Sequence, residues 1–324
     1  MPATTVIALE GALASSVTIT LDVLAMANRI CHERGRQGVF DVRLAGSGAQ
    51  AFRPFLAFPE AAHDAPDLLV IPAQGFSKSP SYADRLAGPD VAEARRMVLD
   101  AATSGADVTS SCTGGLLLAS TGLLDGRRAT TAWWLAPVFR EMFPEVRLDT
   151  RELVLTDGPF TTAGAAMAQM DLTVGLVARY AGGDIADACA RRMVLDERRS
   201  QTPYLALGLL AAADESVSRA AAYARSRLMD PVGVNDLAGA AGLAPRTFSR
   251  RVVRATGLSP VQFLQRLRME RAVELIETTT LPFEAVAYQV GYADPSALRG
   301  ILRRSLGVGP REIRARARPQ APGA

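Results

Sequence analysis

Residues 106–120, ADVTSSCTGGLLLAS, place a cysteine between a strand-like run and a helix-like run. The small neighbours of Cys112, among them Gly114 and Gly115, permit a sharp bend and close packing at this point. A thiol at the first turn of a helix faces unpaired N–H groups and the positive end of the helix dipole, which favour its thiolate. Many hydrolases hold a nucleophile on such a strand–turn–helix element. The pattern therefore predicts a cysteine elbow, with a small buried cysteine at a strand end as the alternative interpretation.

The elements that position this cysteine come from an alternation of strands and helices in the first half of the chain. Apolar runs predict strands at Thr5–Leu9, Phe40–Leu44 and Leu68–Ile71, and helical spacing predicts helices at Val17–Ile30, Val91–Thr103 and Ala168–Tyr180. Such an alternation favours a mostly parallel sheet that is covered by helices on both faces. Sheets of this kind bind ligands beyond the carboxyl ends of their strands, where Cys112 is expected to lie.

An internal repeat occupies the last third of the chain. Gly242-Leu243-Ala244-Pro245 opens one copy, and Gly291-Tyr292-Ala293-Asp294-Pro295 opens the other. Each copy predicts a short helix, a turn at the glycine, and a second helix that begins with Pro, whose missing N–H costs nothing there. The predicted helices are Val234–Ala241, Pro245–Arg254, Phe283–Val290 and Pro295–Ser305, with Pro260–Thr278 between the copies and with Ser259 and Asp294 as helix caps. Each copy is a candidate helix-turn-helix unit.

Both second helices of the repeat carry arginines on their predicted outer faces. A helix-turn-helix unit lays its second helix in the major groove of DNA, where the fork of an Arg side chain matches a guanine edge. The predicted DNA-contacting residues are Arg246, Thr247, Ser249, Arg250, Arg254, Ser296, Arg299, Arg303 and Arg304. Solubility and ion pairing would account for a single Arg-rich helix, but the repetition of the whole unit favours DNA binding.

Composition limits the remaining classes of function. Residues 1–200 carry 19 basic and 23 acidic side chains, whereas residues 201–324 carry 17 and 10, and a basic segment favours a polyanionic partner. The three cysteines are far apart, and the two histidines, His32 and His63, join no cluster with metal-ligand spacing. We therefore predict reduced thiols, no metal and no cofactor. Neither a membrane-length apolar run nor a secretory signal is visible, which predicts a cytoplasmic protein.

The repeat resembles the DNA-binding domain of AraC/XylS regulators over residues from about 220 to 318. The matching segments are VNDLAGAAGLAPRTFSRRVVRATGLSP at 234–260 and FEAVAYQVGYADPSALRGILRRSLGVGP at 283–310, followed by REIRARAR. The resemblance implies seven helices, with two recognition helices in successive major grooves on one face of the DNA.

The first half resembles the sensor domain of the GlxA-like branch of these regulators, which is similar to PfpI-type proteases and class I glutamine amidotransferases. The segments that carry this resemblance are LDVLAMAN at 21–28, DLLVIPAQG at 67–75 and SSCTGGLLLASTGLLDGRRATTAWW at 110–134. In that superfamily the elbow cysteine is paired with a histidine and often with a carboxylate. The resemblance places Ala132 at the histidine position and Ser16 at the acidic position, and neither His32 nor His63 lies where a base is expected. Cysteine hydrolysis needs such a proton-transfer partner, so this resemblance predicts a ligand pocket without catalysis. Its predicted lining is Gly75, Ser111, Cys112, Thr113, Ala132, Trp133 and Ser16.

The sequence thus predicts a flavodoxin-like α/β N-terminal domain and an all-α C-terminal domain with two helix-turn-helix units. The predicted boundaries are 1–198 for ligand sensing and dimerisation, 199–219 for a linker and connecting helix, 220–318 for DNA binding, and 319–324 for a disordered tail. The predicted function is a non-enzymatic transcription regulator whose partners are double-stranded DNA, a small-molecule effector and a second copy of the chain, with RNA polymerase as a further candidate. The alternatives are a cysteine-dependent amidase or protease with an appended DNA-binding module, and an oxidant sensor at Cys112.

Overall fold

A computed structural model describes residues 1–55, 64–75, 81–196, 198, 200–201, 204, 206–212 and 214–317. The chain divides into two compact units, Met1–Gln201 and Thr202–Ala324, and each unit is described by itself. The second unit contains residues 206–219, which the sequence assigned to a linker and connecting helix. The predicted domain boundaries remain predictions, and the predicted disordered tail at 319–324 and His63 lie outside the described residues.

The first unit is built on a six-stranded sheet with the order β2-β1-β3-β4-β8-β7. The strands are β1 Ala3–Ile7, β2 Asp41–Ala45, β3 Leu68–Ile71, β4 Asp107–Ser111, β7 Val154–Asp157 and β8 Phe160–Ala163, and β5 Arg128–Ala129 and β6 Arg147–Leu148 form a separate two-stranded sheet. Every pairing in the main sheet is parallel except that of β7 with β8. The predicted mostly parallel sheet is confirmed, with an antiparallel edge hairpin that the sequence pattern did not single out.

Helices cover both faces of this sheet. They are α1 Ala14–Glu33, α2 Tyr82–Leu86, α3 Pro89–Thr103, α4 Gly114–Ala119, α5 Ala136–Met142, α6 Ala168–Ala181 and α7 Gly183–Arg192, with 3-10 helices at Ala49–Phe55 and Trp133–Leu135. Two apolar cores lie on opposite faces of the sheet, and alternate residues of β3 point into each. Leu68 and Val70 pack with α1, α6 and α7, whereas Leu69 and Ile71 pack with α3 and α4. A strand buried on both faces reads as an uninterrupted apolar run, which explains why β3 was predicted at its exact bounds.

Helices are the only regular secondary structure in the described residues of the second unit. Its helices are α8 Leu207–Ala212, α9 Glu215–Ser226, α10 Val234–Ala240, α11 Pro245–Thr256, α12 Pro260–Thr278, α13 Phe283–Gln289, α14 Pro295–Leu306 and α15 Pro310–Ala317. The predicted helix-turn-helix pairs correspond to α10 with α11 and α13 with α14, and the turns contain Gly242 at φ 69° and Gly291 at φ 82°. The Ser259 hydroxyl accepts the Gln262 N–H at 3.3 Å, and the Asp294 carboxylate accepts the Ser296 N–H at 2.8 Å, so both predicted caps are confirmed.

The cores of the two helix-turn-helix pairs follow the repeat. Phe248 and Val252 of α11 are fully buried, as are Leu298 and Leu302 of α14. These residues lie four apart on one side of each helix, so the opposite side of each helix remains at the surface. In the described ranges, no helix combines the length and apolar character that crossing a bilayer requires.

Candidate functional site

Cys112 lies between the last residue of β4 and the first turn of α4, as the sequence predicts. Its φ angle of 51° is in the left-handed region, which L residues adopt rarely and at a cost of about 1–3 kcal/mol. The Cys112 N–H donates to the carbonyl oxygens of Ala163 at 3.1 Å and Gly164 at 2.8 Å. The Thr131 hydroxyl donates to the Cys112 carbonyl oxygen at 2.9 Å. These hydrogen bonds join the Cys112 backbone to the end of β8 and to Thr131, which follows β5.

The predicted ligand residues gather around this elbow in part. Cys112 and Ala132 belong to one buried apolar cluster with Ala73 and Leu135. The Ser16 hydroxyl accepts the Ala73 N–H at 3.1 Å, and the Thr113 hydroxyl donates to the Gln74 carbonyl oxygen at 2.7 Å. Gly75, Ser111 and Trp133 are also buried, and the Ser111 hydroxyl has no hydrogen-bond partner among the described residues. The structure thus supports a common neighbourhood for these positions.

The electrostatics of Cys112 differ from what the sequence suggested. Burial raises the pKa of its thiol from an ordinary 9.0 to about 11, and hydrogen bonds from Thr113 and from the Ala166 backbone offset this only in part. The expectation of a favoured thiolate is therefore not met at this elbow, because the loss of hydration on burial disfavours the charged form and outweighs the hydrogen bonds that favour it. At neutral pH the elbow holds a protonated thiol.

This pKa predicts a slow, strongly pH-dependent alkylation of Cys112. At pH 8 the thiolate fraction is about 100-fold lower at a pKa of about 11 than at 9.0, so iodoacetamide should label Cys112 at least 100-fold more slowly in the folded than in the urea-unfolded chain. Mass spectrometry of the Cys112 peptide measures both rates, with the unfolded chain as control. The folded state binds this proton more tightly than the unfolded chain does. The contribution of the protonated thiol to folding stability is therefore complete below pH 9 and is lost as the pH rises to about 11. Equal rates in both states would contradict the assignment.

The described histidine lies far from the elbow. His32 is exposed in the last turn of α1, whereas Ser16 lies in the first turn of the same helix. Sixteen residues of α-helix separate the two by about 24 Å. His32 is therefore no base for Cys112. In the part of the chain that the structure describes, no group of three His, Cys, Asp or Glu side chains could hold a metal ion.

A cavity of about 640 Å³ lies elsewhere in the first unit, between α6 and α7. Val174, Ala178 and Ala186 supply part of its apolar wall, and Asp171 and Asp187 supply carboxylates. It includes none of the predicted ligand residues. Residues 76–80, which follow Gly75, lie outside the described residues. The described part of the elbow site consists of the apolar cluster around Cys112 and the hydrogen bonds of the residues beside it.

A glycine fixes the close approach of α4 to the strand beside it. A Cβ atom on Gly114 would lie 2.3 Å from the Ile71 carbonyl oxygen and 2.5 Å from that of Pro72. We expect Gly114→Ala to lower the free energy of unfolding by about 1–3 kcal/mol because backbone must shift. The matched control is Gly175→Ala in α6, where a Cβ meets nothing within 4 Å and should stabilise the helix by up to about 1 kcal/mol. Thermal unfolding measures both, and melting temperatures that do not differ would contradict the packing assigned to Gly114.

The second unit presents the predicted DNA-contacting side chains at its surface. Arg246, Arg250, Arg254, Ser296, Arg299, Arg303 and Arg304 are exposed, and Thr247 and Ser249 are half-buried. Six of these residues are arginines, and none of the six has an ion-pair partner within the described ranges. Guanidinium groups that are not neutralised by the protein remain available to an external anion.

Two arginines of these helices have partners that define their roles more closely. Arg251, which the sequence did not assign to DNA, donates to the Asp214 carboxylate at 3.3 Å and to the Ser216 hydroxyl at 3.2 Å, so it ties α11 to the start of α9. The guanidinium of Arg299 lies 5.2 Å from the ring centroid of Phe283. This cation–π contact restricts the Arg299 side chain without neutralising its charge.

Sequence reasoning missed several residues of the elbow region. Tyr82, at the start of α2, packs against the Cys112 cluster. The pKa of its phenol is raised mainly by burial and to a smaller extent by the nearby Cys112. The side chain of Gln74 binds the backbone of Ile7, Leu9 and Pro72. No pattern in the sequence marks these residues, because their partners come from other parts of the chain.

The comparisons with known proteins agree with this architecture. Residues 237–316 match the family model of a helix-turn-helix domain. The HTH-type transcriptional regulator GbdR of Pseudomonas aeruginosa is 26% identical over 216 residues, which are 66% of this chain and 59% of GbdR. The HTH-type transcriptional regulator GlxA of Rhizobium meliloti is 25% identical over 217 residues, 63% of each chain. This chain thus spans about three fifths of the length of these curated relatives.

Among solved structures, an AraC family transcriptional regulator from Pseudomonas putida is matched with a TM-score of 0.47 and 21% identity, over 60% of this chain and all of that one. The fold, the repeated helix pairs and the family match define the second unit as a DNA-binding domain of the helix-turn-helix class. The HTH-type transcriptional regulators GbdR and GlxA are homologues of this chain.

Proposed function

We propose that this chain is a sequence-specific DNA-binding transcription regulator controlled by a small-molecule effector in its first unit. The observation that carries the proposal is the pair of helix-turn-helix motifs with exposed, unneutralised arginines on both second helices. The base edges are contacted from α11 by Arg246, Thr247, Ser249 and Arg250, and from α14 by Ser296 and Arg299. Arg254, Arg303 and Arg304, which are nearer the helix ends, meet phosphates.

Protection of DNA by the full chain tests this proposal. We expect DNase footprinting on DNA upstream of its own gene to show two protected patches, about one helical turn apart on one face of the duplex. A chain with Arg246 and Arg299 both replaced by Ala is the control and should leave no patch at the same concentration. A uniform protection that does not depend on sequence, or no protection at low salt, would contradict the proposal.

The elbow is proposed as the effector site and as a site without turnover. A buried thiol with a pKa of about 11 is a poor nucleophile at neutral pH, because the thiolate is the attacking species. Ala132 and Ser16 offer no proton-transfer group near neutral pH. The N–H groups of Cys112, Gly115 and Leu116 donate to carbonyl oxygens within the chain, so the anionic or carbonyl-bearing ligand that we propose would meet the remaining N–H groups at the start of α4. The competing amidase function predicts a covalent adduct on Cys112 during turnover and loss of activity in Cys112→Ser, which mass spectrometry and an amide-hydrolysis assay would detect.

We further propose that the chain acts in the cytoplasm as a homodimer joined through residues 1–200, with RNA polymerase as a candidate partner at promoters. Two linked DNA-binding units gain affinity when both half-sites are occupied, and two-fold dimers are the commonest soluble assembly. Sedimentation equilibrium at micromolar concentration measures the assembly, and a monomer with and without DNA would contradict it.

A further inference from the structure

Gln201 is a buried glutamine at the chain position where the first unit ends. Its side chain is 1% exposed, and its Nε2 lies within hydrogen-bond distance of four acceptors. These are the carbonyl oxygens of Thr131 at 2.9 Å, Thr150 at 3.1 Å and Glu152 at 3.1 Å, and the hydroxyl of Thr130 at 3.2 Å. Rotation of the amide by 180° would set Oε1 against these oxygens, so the orientation of the amide is fixed.

Two short routes join this amide to the elbow. On the first route, the Thr131 carbonyl oxygen accepts from Gln201 and the Thr131 hydroxyl donates to the Cys112 carbonyl oxygen at 2.9 Å. On the second, Gly164 accepts the Cys112 N–H at 2.8 Å and packs so closely on Gln201 that a Cβ on Gly164 would lie 2.2 Å from Cδ. A single residue therefore separates Gln201 from Cys112 on either route.

The backbone beside Gln201 is paired to the same region. The Gln201 N–H donates to the Arg151 carbonyl oxygen at 3.1 Å, and the Ser200 hydroxyl donates to that oxygen at 2.7 Å. Glu152 and Ser200 form an antiparallel bridge. The next residue in the chain, Thr202, begins the second unit. A displacement of Thr131 or Gly164 would thus act on the last residues before the DNA-binding unit.

The hydrogen bonds of the Gln201 side chain are made on one side of its amide only. Its Oε1 is buried without a hydrogen-bond partner among the described residues, and an unpaired buried acceptor destabilises a fold. We infer that Gln201 is a positioning residue of the elbow site, and that it couples occupancy of that site to the segment that enters the DNA-binding unit. The inference rests on the proposed function, because it assigns the route by which the effector would act.

The test uses a bulkier side chain in place of a ligand, since the effector is unidentified. Ala132 is fully buried in the Cys112 cluster and adjoins Thr131, so Ala132→Leu forces additional volume into the elbow of the full chain. We expect this variant to change the hydrogen-exchange rate of the backbone N–H at residue 201, which donates to the Arg151 carbonyl oxygen, at least five-fold, and to change affinity for the footprinted DNA by about five-fold or more. Both changes should fall below two-fold when Gln201→Met is added, because Met fills similar volume without the hydrogen bonds.

The matched control adds the same bulk to a different core of the first unit. Ala94→Leu in α3, whose apolar cluster contains none of the Gln201 acceptors, should have the same effect on exchange at residue 201 and on DNA affinity with Gln201 as with Met at that position. Should Gln201→Met fail to fold, Thr131→Val removes only the hydroxyl bond to Cys112 and should reduce the effect of Ala132→Leu at least two-fold.

An unchanged Gln201 exchange rate in Ala132→Leu, or an equal change after Gln201→Met or Thr131→Val, would overturn the coupling. Exchange is read without DNA, so this outcome is independent of the proposed regulator function. If exchange at Gln201 responds and the wild-type chain shows no sequence preference for DNA, the coupling stands within the first unit and the proposed function fails.

Discussion

Replacement of both Arg246 and Arg299 by Ala should lower the affinity of the full chain for its specific site by about 30- to 10⁴-fold, with a far smaller effect on random DNA. Each good bidentate contact to a base is worth about 1–3 kcal/mol of discrimination. The two residues lie on different helices, α11 and α14, and have no common partner within the described residues, so their effects should add. Competition binding with specific and shuffled duplexes measures the change.

Arg251→Ala is the matched control for this pair. Arg251 lies on the same helix as Arg246, and its side chain is 46% exposed, but its guanidinium pairs with Asp214. Loss of this pair, whose carboxylate is only 17% exposed, costs about 1–3 kcal/mol of stability, and the ratio of specific to random affinity should stay within about two-fold. An equal loss on both DNAs for Arg246→Ala or Arg299→Ala would instead identify that residue as a phosphate contact.

Joint replacement of Arg254, Arg303 and Arg304 by Ala should remove a large part of the salt dependence of binding. Each neutralised phosphate adds about 0.9 to the slope of log affinity against log salt concentration. Three such contacts account for about 40-fold of affinity between 50 and 200 mM salt, by the same relation. All three side chains are exposed near the ends of their helices, where contacts to phosphate are expected. A slope that is unchanged in this variant would contradict the assignment.

The sequence predicted best those elements whose signals are local. Helix α12 matches its predicted bounds because Ser259 caps its start, and β3 matches because its four residues are buried on both faces. The edge hairpin of β7 and β8 was missed, since VLTD and FTTA mix polar with apolar residues and form no continuous apolar run like that of β3.

The chemistry of the elbow was less predictable than its position. The strand–turn–helix pattern located Cys112 correctly, but its pKa is raised by burial, and the neighbours that bury it, Ala73, Ala132 and Leu135, come from two other segments of the chain. The same limit applies to Gln201, whose acceptors lie 49 to 71 residues away in the chain. The face of each recognition helix was predictable because the buried residues are four apart, as at Phe248 and Val252.

Under the proposed function, this chain reads DNA sequence through α11 and α14. The most direct measurement is an equilibrium titration of the full chain with the footprinted duplex and with a shuffled duplex of equal length and composition, at about 0.15 M salt. We expect binding to the footprinted duplex to be at least about 10³-fold tighter than to the shuffled one. Equal affinity for the two duplexes, or no binding to either when the salt is lowered, would contradict it.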